Sequence, residues 1–165
     1  MLRVDPLEMR IEIGTREELM VNLTAALAPG EPTRLLVVFR LGGFEEFVAR
    51  YGYGATDALM SHVASRLPEA SGPSNFYYRP RKNELCAIVS GRVEGVEGAL
   101  SVAARDVHEA LKPSGISLGF GTAIIPNEAS DPIDALVLAD SRLTGIVDGE
   151  PMPRGSASPI IFSKR

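Results

Sequence analysis

The chain has 165 residues, 45% hydrophobic and 23% charged, with a formal net charge of −4. That length suits one domain, residues 1–165, burying roughly 70% of its unfolded surface without staples. Its one cysteine excludes a disulfide framework and favours a reducing cytoplasm, its acidic balance argues against a nucleic-acid surface, and no apolar run nears the ~20 residues of a membrane span.

Residues 1–14 read as an N-terminal arm or short edge strand, with Ile11 and Ile13 alternating against Glu12. Thr15-Arg16-Glu17-Glu18 is a capping box, and the helix it opens carries Leu19, Leu23 and Leu27, with Met20 widening the stripe, as far as Pro29-Gly30. Arg34–Leu41 is a continuous apolar run between two arginines, the pattern of a central strand covered on both faces. Gly42-Gly43 breaks it. Phe44, Phe47, Val48 and Tyr51 then recur at helical spacing. After Gly52 and Gly54 a further helix carries Leu59, Val63 and Leu67 up to Pro68, and residues 69–75 are a loop by composition.

Phe76–Ser90, FYYRPRKNELCAIVS, is a β-hairpin. Tyr77 and Tyr78 lie on one side of its polar tip, Pro80-Arg81-Lys82-Asn83, and Leu85, Ala87, Ile88 and Val89 on the other. Proline pre-sets the turn and asparagine tolerates left-handed backbone. Cys86 reads as a small buried apolar residue. Val96, Leu100, Ala103, Val107 and Leu111 mark a long helix. Ile116–Ile125 is a strand whose Gly119 and Gly121 permit close approach of a backbone or a ligand. Asp131-Pro132 caps a helix with Ile133, Leu136, Val137 and Leu143 as its buried face. Residues 148–158 form a Gly/Pro/Ser-rich loop, and 159–163 a last edge strand. His62 and His108 have no metal-ligand spacing and read as surface or helix-flank residues. The order predicts an α+β fold: a mainly antiparallel sheet of about five strands with helices packed on it, built on a βαββαβ core.

This order, together with several local strings, resembles the GGDEF family, the diguanylate cyclase domain. The strings are Asp5-Pro6-Leu7; Tyr51-Gly52-Tyr53 with Asp57; Arg79–Leu85 (RPRKNEL) in place of R-x-GG(D/E)EF; Ser117–Gly121; and Ala139-Asp140. The resemblance covers about residues 5–163, nearly the whole chain. The resemblance implies a cyclase that joins two GTP molecules into cyclic di-GMP at a site shared by two domains. Carboxylates there would hold magnesium, hairpin glycines would admit the phosphates, and a lysine and an arginine would bind them.

Carried over residue by residue, most of that site is lost. The first metal aspartate falls on Arg40, the next on Gly42, the following lysine on Glu45 and the guanine-reading asparagine on Val48. The hairpin glycines become Arg81 and Lys82, and the acid after them becomes Asn83. The phosphate-binding lysine falls on Val147, and the arginine in the loop around Pro151. The product-binding R-x-x-D before the hairpin is absent. Asp57 and Glu84 survive. Asp57 reads as a helix-starting acid and Glu84 as a polar edge residue.

The degenerate signature is thus Arg81, Lys82, Asn83, Glu84 and Leu85, with no catalytic residue, no metal ligand and no cofactor expected. Repulsion from Arg40 disfavours magnesium by several kcal/mol at ~4 Å. The expectation is a catalytically inactive, cytoplasmic signalling or regulatory domain that works through a protein partner, a homodimer being compatible with it. The alternatives are a nucleotide sensor without turnover, binding GTP or another nucleotide through Asp57, Arg40, Arg81 and Lys82, or an active cyclase with an altered site.

Overall fold

The computed structural model describes residues 13–67, 77–90, 93–147 and 150–151. In chain order the elements are β1 (Ile13–Gly14), α1 (Arg16–Ala26), β2 (Arg34–Gly42), α2 (Phe44–Tyr51), α3 (Gly54–Arg66), β3 (Tyr77–Tyr78), β4 (Glu84–Ser90), α4 (Val93–Leu111), β5 (Ser117–Ile125), α5 (Pro132–Ser141), β6 (Thr144–Val147) and β7 (Glu150–Pro151). A 3₁₀ turn, Lys112–Ser114, joins α4 to β5. The sheet order is β1-β3-β4-β2-β5-β6-β7. Among the described residues only the β1–β3 pairing is parallel. The α+β class, the mainly antiparallel sheet and the central place of the apolar strand β2 are as the sequence predicts.

Side-chain alternation along β2 sorts the core into two layers. Leu35, Val37, Phe39 and Leu41 pack with Leu85, Ala87 and Val89 against α2, α3 and α4. Leu36 and Val38 share the opposite face with Cys86, Ala123 and Ile125, under α1 and α5. Cys86 is fully buried, and burial pushes its thiol well above the ordinary range, so it is an inert packing group. The capping box forms: the Glu18 N–H donates to Thr15 Oγ1 at 3.1 Å, and the Thr15 N–H to Glu18 Oε1 at 2.7 Å.

Three sequence expectations change. The face α5 buries is Ala135 and Ala139, whereas Ile133 and Val137 are 52% and 61% exposed. The cause is Gly121. A Cβ there would stand 2.1 Å from the Ala139 carbonyl oxygen and 2.8 Å from the Leu143 nitrogen. The helix backbone therefore sits directly on β5, and only small side chains fit beneath it. Gly121→Ala is expected to cost about 1–3 kcal/mol through backbone displacement, measurable as a lower urea midpoint.

Second, the chain after α5 forms β6 and β7 at once, so residues 150–151, expected in a loop, lie in a strand. The edge strand expected at 159–163 lies outside the described residues, as do Asp5-Pro6-Leu7, residues 69–75 and most of the N-terminal arm. β1, residues 13–14, lies at the edge of the sheet.

Third, His108 is buried on the inner face of α4 rather than on a flank, because it follows Ala104 by one helical turn on the stripe that also holds Leu111. Its Nδ1 accepts the Leu118 N–H at 3.4 Å. Desolvation first, then Lys112 and Arg105, lower its pKa from 6.5 against the pull of Glu109. The unfolded state therefore binds the proton more readily. The stability that neutral His108 contributes is complete above pH 6.5 and falls away as pH drops through the lower folded value. Urea midpoints measured from pH 8 to 5 are expected to decline below pH 6.5. His108→Leu should flatten part of that decline, leaving the share of His62, whose pKa burial also lowers.

Candidate functional site

The hairpin tip stands beside the end of β2. Register puts Arg40 of β2 directly opposite Glu84 of β4, on the face covered by α1 and α5. Glu84 is buried, not the polar edge residue that its sequence context implies. β4 lies beside the central strand, and the charge is retained there because it has a cation to pair with. Arg40 donates from Nε and Nη2 to Glu84 Oε2 at 3.1 and 2.6 Å, and from Nη2 to Asp140 Oδ1 of α5. One guanidinium thus bridges two carboxylates from two elements.

The tip is fastened to β2 by its backbone. The Leu41 N–H donates to the Asn83 carbonyl at 2.9 Å, and Asn83 Nδ2 donates to the Leu41 carbonyl at 3.2 Å. Arg79 closes the turn by donating to the Lys82 carbonyl from Nε and Nη2 at 3.1 and 2.9 Å, while its Nη1 reaches Asp57 Oδ1 at 2.9 Å. Asp57 lies in the first turn of α3 with its side chain largely exposed, so this pair is a weak surface tether. Leu85 turns into the core.

The candidate binding residues do not converge on one pocket. A groove of about 250 Å³ is lined by Arg40, Glu84, Asp140 and Arg81. A separate hollow of about 490 Å³ takes Asp57, Arg79 and Lys82, with Phe44, Tyr53 and Thr56. Arg81 and Pro80 line both. Lys82 Nζ lies 5.1 Å from the centroid of the exposed Tyr53 ring, a contact worth about 0.5–1 kcal/mol. Arg81, half exposed, reaches Glu84 only at 4.0 Å. The sequence singled out neither Asp140 as Arg40's partner nor Arg79 as Asp57's. The signal available was a lone arginine at the end of a buried run, which needs carboxylates close by.

The sheet, the hairpin beside its central strand and the helices on both faces define a nucleotide-cyclase-like α+β domain. The family model described as "Diguanylate cyclase, GGDEF domain" matches residues 13–146, and the chain belongs to the GGDEF family. No curated protein matches it. Among solved structures it is similar to the GGDEF domain of TpbB (YfiN) from Pseudomonas aeruginosa, with 20% identity, a TM-score of 0.62 and coverage of 84% of this chain and 85% of that one. The FimX GGDEF domain from the same organism gives 18%, 0.62, 84% and 90%. The GGDEF domain of DgcB from Caulobacter crescentus, solved in complex with c-di-GMP, gives 20%, 0.62, 80% and 84%.

The magnesium that the family implies does not fit this donor set. The space between Glu84 and Asp140 is taken by the Arg40 guanidinium, and among the described residues no group of three or more His, Cys, Asp or Glu side chains is gathered as metal ligands. Among the described residues no helix is long and apolar enough to cross a membrane.

Proposed function

We propose that this domain is a catalytically inactive GGDEF-like signalling domain that acts through protein contacts. The observation that carries the reading is the bridge from Arg40 to Glu84 and Asp140. By the resemblance, Arg40 stands where the family places its first metal aspartate, and Glu84 where it places a surviving ligand. A fixed cation there takes the carboxylate charge that a divalent ion would need. The side chains of Arg81 and Lys82 replace the glycines that would let backbone approach phosphates. Val48 offers no hydrogen bond to a guanine edge.

Incubation with GTP and magnesium, followed by chromatography, is expected to yield no cyclic di-GMP. Product at a rate proportional to protein concentration would overturn the reading. A second reading, a nucleotide sensor without turnover, is favoured by the hollow where Tyr53 offers a ring face beside Arg81 and Lys82. Thermal shifts with GTP, ATP or cyclic di-GMP that persist in EDTA support that sensor. Shifts that require magnesium count against both readings.

A further inference from the structure

The groove beside the triad has features that the triad does not explain. It is lined by Val38 and Arg40 of β2, by residues of α5, and by Arg16, the first residue of α1. Along α5, Ile133, Leu136 and Val137 line it at i, i+3 and i+4. This is the stripe that the helix leaves outward while its alanines pack on β5. A helix apolar on two sides normally has both covered, yet Ile133 and Val137 are 52% and 61% exposed. The lining carries Arg16, Arg40 and Arg81 against Glu84 and Asp140, and both carboxylates are engaged by Arg40. Arg16 is exposed with no ion pair among the described residues, and Arg81 approaches only a carboxylate already engaged by Arg40. At about 250 Å³ the groove is smaller than the roughly 300–1,000 Å³ of enclosed ligand pockets. It suits side chains projecting from a partner.

We propose that the groove between α1 and α5 docks an acidic, amphipathic segment of a partner protein. Apolar side chains three or four residues apart lie on Ile133, Leu136 and Val137, and carboxylates flanking them meet Arg16 and Arg81. This rests on reading the domain as one that works through protein contacts, and it names the surface and the chemistry of the contact.

The test is display of a random-peptide library against the intact chain, followed by binding of labelled synthetic copies of the enriched peptides. Enriched sequences are expected to carry paired apolar residues at helical spacing with flanking Asp or Glu. Val137→Asp should weaken binding about tenfold or more. Arg16→Glu with Arg81→Glu should weaken it about three- to tenfold at low salt, and Glu→Lys changes in the peptide should restore it. Ile133→Ser, at an exposed site, repeats the apolar test without a buried charge, and circular dichroism checks the fold of each variant. No enrichment, enrichment of basic peptides, or binding indifferent to Val137→Asp would each overturn the proposal. So would a homodimer dispersed by Val137→Asp in sedimentation, which would assign the groove to a second copy. Cyclic di-GMP formation bears only on the inactive reading: a chain that made it and still bound these peptides would lose that reading and keep the groove.

Discussion

Arg40→Ala is expected to lower folding stability by about 3–5 kcal/mol, a loss large enough to threaten folding in a domain of ordinary stability. The cost comes chiefly from what the substitution leaves behind. Glu84, buried beside the central strand, would be left without its cation partner, and Asp140 would face it across the vacated space. The intact triad is a weaker source of net stability, because desolvating three charges offsets most of their attraction. Arg40→Met combined with Glu84→Leu and Asp140→Asn should therefore recover most of the loss. Urea denaturation at pH 7 of the single and triple variants tests both claims. A single-variant loss under about 1 kcal/mol would place the triad in water, and a triple variant no better than the single would refute the desolvation argument.

Tyr77→Ala is the second large effect, again about 3–5 kcal/mol. The described part of β3 is Tyr77–Tyr78, and the Tyr77 side chain anchors it in the core. The Tyr77 ring is 1% exposed, lies 6.5 Å from the Phe39 ring at 51°, and its hydroxyl donates to the Leu67 carbonyl at the end of α3 at 2.8 Å. Tyr77→Phe keeps the ring and removes the hydrogen bond, and should cost about 0.5–1.5 kcal/mol. A Phe variant as damaged as the Ala variant would show that the hydroxyl, not the packing, holds the strand.

Local rules were read well from sequence, and long-range choices poorly. The continuous run in β2, the Thr15–Glu18 box and the Asp131-Pro132 cap each depend on neighbours a few residues apart, and each forms as expected. α5 shows where this fails. Its sequence carries a large-residue stripe and a small-residue stripe, and hydrophobicity alone favours the large one. The clearance above Gly121 selects the alanines instead, and that clearance is a tertiary fact. At the site, Arg40 and Glu84 lie 44 residues apart and Arg40 and Asp140 lie 100 apart, so no window of sequence holds the triad. His108 was misread because its polarity outweighed its place on a buried stripe.

The pairing of Arg40 with Glu84 also bears on strand alignment. β2 has a core on both faces and a nearly unbroken apolar run, so hydrophobic patterning alone would penalise a one-residue slip against β4 only lightly. Such a slip would turn Arg40 from the α1/α5 side into the layer that holds Leu85 and Ala87, away from Glu84. The triad thus acts as an indexing pin. It adds little to the depth of the native minimum, but it fixes which of several similar zippings of the central strands is the native one.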